Sequence, residues 1–254
     1  MLPGLPIELL VAGFMIYSRL SGLFFAMPGM TALPSVARQA LALPLTLVLI
    51  PVVANNVPLP LTVPFLVLSV IMELFIGLAM GAISNILVNA LTVAGEIISV
   101  NIGLGLASML DPMTKSRSDA LSALCSTFGV SLFLATDTHL RCLEIFGSSL
   151  RSLPPGALLS PHLVGPMVLE ACLTSMRVGA ELSGPVVLFA LLTHLALSVL
   201  GRMAPNLNIF FSIGISLNMS SGFGVLLIAL PATLFAFLPN LDTILLLLHQ
   251  LVGS

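Results

Sequence analysis

Apolar residues fill this chain in blocks suited to helices that cross a bilayer, and short polar interruptions rich in proline, glycine and asparagine separate them. A spanning helix needs about 20 mostly apolar residues. The first block, residues 7–27, meets that length while carrying Glu8 and Arg19, and PGMTALPSVARQ ends it with two prolines and Arg38. A shorter block at 40–53 contains Pro44 and stops at PVVANNVPLP. Residues 61–89 are long enough to span with tilt or to project beyond the hydrocarbon. The glycine-interrupted stretch 95–110 is short for a crossing and reads as re-entrant or interior. Block 120–136 follows, and then DTHLRCLEIFGSSLRSLPPG, which reads as an amphipathic helix ended by Ser, Pro and Gly. Residues 163–200 are too long for one straight span and are expected to break at Gly184-Pro185. Blocks 209–238 and 241–252 complete the pattern. It predicts an all-α polytopic integral membrane protein, a bundle of long kinked helices with about six conventional spans in one membrane domain.

Composition supports this. Hydrophobic residues make up 58% of the 254 positions and charged residues 7%, with a mean hydropathy of +1.17. That excludes a water-soluble globule covered by its own polar side chains. A formal net charge of -2 gives no basic field, so nucleic acid is not an expected partner. MLPGLPIELL has no Lys or Arg ahead of its apolar run and reads as part of the first helix rather than as a secretory signal. Cys125, Cys142 and Cys172 form an odd set without a CxxC and are expected to be buried small hydrophobes. His139, His162, His194 and His249 are scattered, no HExxH occurs, and GLGLAS lacks the βαβ context of a nucleotide fingerprint. No catalytic residue, metal site or cofactor is predicted.

Polar residues inside apolar blocks carry more information. Glu73, Gly77, Gly81, Asn85 and Asn89 recur every four positions, a stripe that drifts about 40° per step along a helix. GLAMG within it is a GxxxG, which lets two helix backbones approach closely in lipid. Gly214, Asn218 and Gly222 repeat the spacing near the C-terminus. Both stripes are expected to pack against protein partners. Glu170, Arg177 and Glu181 fall on one helix face, with Arg177 and Glu181 at the i, i+4 spacing of an ion pair. Each such charge costs on the order of 2.5–3.5 kcal/mol at a bilayer centre, so the three must pair, face another subunit, line water or lie near a membrane surface. A solitary solute transporter would use them as an ion or proton path.

The order of the punctuated motifs then becomes specific. SRLSGLFFAMPGMTALPSVARQALALPLTLVLIP, ELFIGLAMG, AGEIISVNIGLGLASMLDP, HLRCLEIFGSSLRSLPPG and RMAPNLNIFFSIG occur in that sequence, and together they resemble the FliR family over most of the chain. That resemblance implies a subunit of the flagellar type III protein export gate in the bacterial inner membrane. It would assemble with FliP and FliQ beside FlhB and FlhA at the basal body, with unfolded exported proteins as cargo. It further implies a FliP-like portion over 1–160 and a FliQ-like helical hairpin over 161–254. The segment GLGLASMLDPMTKS is implied to project toward the pore as a plug. Gly103 and Gly105 would permit its tight backbone, Met109 and Leu110 would give apolar bulk, and Asp111-Pro112 would set its turn, with Met113 in the same loop. Members of the family often carry aromatics where Met109 and Leu110 stand. In the RMAPNLNIF block, Arg202, Pro205, Asn206 and Asn208 are implied to serve packing, with Asn206 retaining an amide where the family commonly has glutamine. The homologous subunit of a virulence injection system shares the same physics.

Overall fold

A computed structural model of the chain describes residues 7–53, 63–104, 120–156, 161–203 and 214–253. Every long element among them is a helix. In chain order these are α1 (Ile7–Ala26), a short 3₁₀ turn (Met30–Ala32), α2 (Ser35–Val53), α3 (Val63–Val88), α4 (Ala90–Ile102), α5 (Ala120–Ala135), α6 (Thr138–Ser152), α7 (Pro161–Met203) and α8 (Ile215–Gly253). Helical structure is what lipid demands of these sequences, because an α-helix satisfies its backbone groups within the segment. Four stretches are long and apolar enough to cross a membrane among the described residues: α1, α3 continued by α4, α7 and α8. The number rises to five if α5 and α6 form one bent span.

That departs from about six conventional spans, and the cause is continuity. Helix α7 runs unbroken for 43 residues through Gly184-Pro185, where a break was expected. Helix α8 passes through Pro231 and Pro239 and joins the two blocks read as separate at its end. A proline removes one intrahelical bond, but helices in apolar surroundings tolerate it when neighbours and local adjustments satisfy the freed carbonyl. At 1.5 Å per residue α7 is roughly 65 Å long, about twice a bilayer's hydrocarbon thickness.

Other boundaries follow local chemistry. Asp137 adopts a left-handed φ of 56° between α5 and α6. Thr136 and Thr138 share a hydroxyl hydrogen bond of 2.8 Å across this break. The amphipathic stretch forms α6 as expected, burying Cys142, Ile145, Phe146, Ser149 and Leu150. Cys125 and Cys142 are buried, Cys172 is half-buried, and all three are free thiols.

The chain divides into two compact units. The first holds Met1–Leu87, Phe133–Leu173 and Leu241–Ser254; the second holds Val88–Leu132 and Thr174–Asn240. These units do not follow a division at residue 160, since each takes segments from both halves of the sequence.

Candidate functional site

The first unit is organised by the crossing of α1 and α3. Gly22, Gly77 and Gly81 bring the two backbones together: a Cβ on Gly22 would lie 2.5 Å from the Leu74 carbonyl oxygen, and one on Gly81 would lie 2.6 Å from that of Leu23. At Gly77 the obstacle is the Arg19 carbonyl. Gly77 and Gly81 of the four-residue stripe therefore pack within the chain, against α1; a partner subunit had been expected. Asn85 is half-buried and Asn89 exposed.

One turn before Gly77, Glu73 is fully buried, and opposite it on α1 Arg19 is equally buried. Arg19 Nε donates to Glu73 Oε2 at 2.5 Å. Its Nη1 donates to the Ser149 carbonyl and hydroxyl at 3.3 and 3.2 Å, and its Nη2 to the Leu153 carbonyl at 3.1 Å. The other carboxylate oxygen, Glu73 Oε1, accepts the Gly156 N–H at 2.9 Å. Gly156 presents that amide from a left-handed φ of 91°, a conformation that disfavours any residue with a Cβ. One ion pair thus ties α1 and α3 to the last turn of α6 and the turn beyond it. Buried charges need this degree of hydrogen bonding to offset their desolvation. The pair had gone unrecognised in the sequence, where Glu73 stood only as a packing residue. The available signal was two lone opposite charges, each beside a small-residue helix face, in blocks that cannot solvate them.

The second unit is organised around α4, and its interior is apolar. Ile98, Ile102, Leu121, Cys125, Val186 and Leu226 form its core. Gly95 meets Ser122 and Cys125 of α5, Gly179 of α7 meets Val93 and Ala90, and Gly222 of α8 lies against Ile102. The C-terminal end of α4 closes as a Schellman motif. Gly103, at φ 90°, donates to the Val100 carbonyl at 3.3 Å, and Leu104 donates to that of Ser99 at 3.0 Å. Leu104 packs on the core that includes Ile98, the hydrophobic contact that accompanies such a cap. From α8, Asn218 Nδ2 donates to the Asn101 carbonyl at 3.0 Å. Asn218 and Gly222 therefore make contacts within the chain, and Gly214, just ahead of α8, is buried. Gly105, Met109, Leu110, Asp111, Pro112 and Met113 lie outside the described residues, as do Pro205, Asn206 and Asn208.

Glu170, Arg177 and Glu181 are all exposed on α7, and so is Arg202 near its end. The expected Arg177–Glu181 ion pair does not form within 4.0 Å. The ion pairs among the described residues are Arg19–Glu73 and an exposed Arg141–Asp242 contact at 3.9 Å. An i, i+4 pair with the base ahead of the acid has the less favourable orientation, and two exposed side chains lose rotamer freedom by pairing. Among the described residues no group of three His, Cys, Asp or Glu is placed to hold a metal ion.

Long apolar helices, a buried ion pair and a capped helix define a polytopic α-helical membrane protein. Residues 10–244 match the family described as Bacterial export proteins, family 1, and the chain belongs to that family. It is similar to the flagellar biosynthetic protein FliR of Caulobacter vibrioides, with 32% identity over 78% of this chain and 80% of the relative. The protein of the same description from Aquifex aeolicus is 30% identical over 88% of this chain and 87% of its own length. That from Escherichia coli is 27% identical over 79% and 76%. The resemblance to FliR read from the motifs is thereby borne out.

Proposed function

We propose that this chain is a pore-forming subunit of the flagellar type III export gate in the bacterial inner membrane. It assembles with FliP and FliQ, beside FlhB and FlhA at the basal body, and conducts unfolded flagellar proteins. The observation that carries this reading is the family match over residues 10–244, with relatives described as flagellar biosynthetic proteins. Those descriptions favour the flagellar system over a virulence injection system. Residues 1–160 supply a FliP-like part and 161–254 a FliQ-like hairpin. Exposed Glu170, Arg177 and Glu181 suit contact with a neighbouring subunit better than contact with lipid, given the cost of charge in hydrocarbon.

Gating is assigned to the segment that follows α4. A passage for an extended polypeptide must not leak ions while idle, and an apolar constriction achieves this by dewetting. Met109, Leu110 and Met113 supply the apolar bulk, with Gly103 and Gly105 at its root and Asp111-Pro112 at its turn. Deleting residues 109–116 should raise resting ion leakage in cells that also express the partner subunits, while sparing assembly. Unchanged membrane conductance would refute the plug.

The assembly reading is tested by co-expressing the chain with FliP and FliQ and weighing the purified complex. A defined hetero-oligomer that restores export in a strain lacking its own copy is the expected result. A folded, monodisperse single chain that moves a small solute across liposomes would replace the gate with a transporter.

A further inference from the structure

We propose that Asn218 is a positioning residue of the gate: from α8 it caps the end of α4 and so fixes where the chain leaves that helix. A Schellman ending satisfies the carbonyls of Ser99 and Val100, but among the described residues it leaves the next carbonyl, that of Asn101, without a backbone donor. The side chain of Asn101 does not cap its own carbonyl, because its Nδ2 is turned back onto the Ile97 carbonyl at 2.7 Å. Ile102 is fully buried and Asn218 is 5% exposed, while Asn101 itself is half-buried. Asn218 supplies a donor to it from a helix more than a hundred residues away in sequence. Its other amide atom, Oδ1, is buried without a hydrogen-bond partner among the described residues. The side chain is thus held through its N–H alone. Rotating the amide by half a turn would set two oxygens against each other, so the orientation is fixed by the cap. One turn further along α8, Gly222 lets that helix sit directly on Ile102, where any larger residue would drive the two apart. An amide donor and a missing side chain, one turn apart, grip the last two residues of α4 at the point where Gly103 turns the chain.

The consequence for leakage rests on the plug reading above; the capping geometry does not. Hydrogen exchange on the full chain in its complex with FliP and FliQ tests the cap. In the wild type, the amides of Gly103 and Leu104 should be protected to nearly the level of the α4 interior. Free exchange there would overturn the proposal before any variant is made. Asn218→Leu, similar in size but without a donor, should raise exchange at those two amides about 5- to 30-fold while leaving α1 and α3 unchanged. Unaltered exchange at Gly103 and Leu104 would overturn it. The same variant should raise resting ion leakage without loss of FliP or FliQ from the complex, an effect that a merely structural contact would not produce. If deletion of 109–116 leaks and Asn218→Leu does not, the positioning role falls and the plug stands. If the deletion itself is silent, the plug falls, and the exchange measurement still decides the cap.

Discussion

The two units solve the same problem, holding helices together where apolar burial gives little preference, by different means. Around α1 and α3 the fixing element is ionic: Arg19 and Glu73 meet at full burial, and their remaining hydrogen bonds reach α6 and Gly156. Around α4 it is shape: side chains from three other helices fill an apolar core, and a single amide from Asn218 reaches the Asn101 carbonyl at its end. An ionic lock is directional and intolerant, because losing either half strands a charge. A shape-filled interior yields more gradually, since side chains can shift to relieve a misfit.

The largest effect should come from splitting the ion pair. Arg19→Ala or Glu73→Ala should each cost about 3–5 kcal/mol, seen as loss of the folded chain from detergent extracts or a steep fall in thermal midpoint. Combining Arg19→Met with Glu73→Leu should recover part of that loss. Recovery should not be complete, because the Gly156 amide and the Leu153 carbonyl then lack their partners. If the single substitutions are harmless, the ionic account of the first unit is wrong.

Next in size is a paired test of the close approaches. Gly22→Ala should cost about 1–3 kcal/mol, because the new methyl would meet the Leu74 backbone, which cannot rotate away. Gly222→Ala should cost less, since its main obstacle is a side-chain methyl of Ile102. Thermal unfolding of both variants would show whether backbone or side-chain obstruction separates the units; equal losses would erase that distinction. Gly156→Ala should follow at about 1–2 kcal/mol, the penalty of a left-handed backbone for a residue with a Cβ, and it should loosen the Glu73 contact. Smallest of all, Glu181→Gln should leave the isolated chain's thermal midpoint unchanged, because the side chain is exposed and unpaired with Arg177. A fall in midpoint for the isolated chain would place that face inside the fold.

Much of the architecture was legible in the chain, and the failures share one cause. Helical blocks and the amphipathic α6 follow from residue type and period, which are local properties. The break expected at Gly184-Pro185 did not occur, and helices in apolar surroundings are known to accommodate a proline. From the four-residue stripes, Gly77, Gly81 and Gly222 stand at close helix approaches within the chain, a neighbour that the spacing did not specify. A GxxxG states that some backbone can approach, without stating whether that backbone lies in the same chain. Arg19 and Glu73 were visible as isolated charges. Their pairing across 54 positions was not, since nothing between them encodes distance.

By itself the sequence determined the solvent, the secondary structure and the family. Long charge-poor runs cannot be covered in water, lipid forces the backbone into helices, and the order of polar motifs along those helices is specific. Only the tertiary structure decided which polar groups meet: Glu73 with Arg19 and the Gly156 amide, Asn218 with the carbonyl of Asn101. The physical reason is that burial makes an unpaired charge or carbonyl costly, while partner choice depends on how distant helices come together, and local pattern carries no information about that.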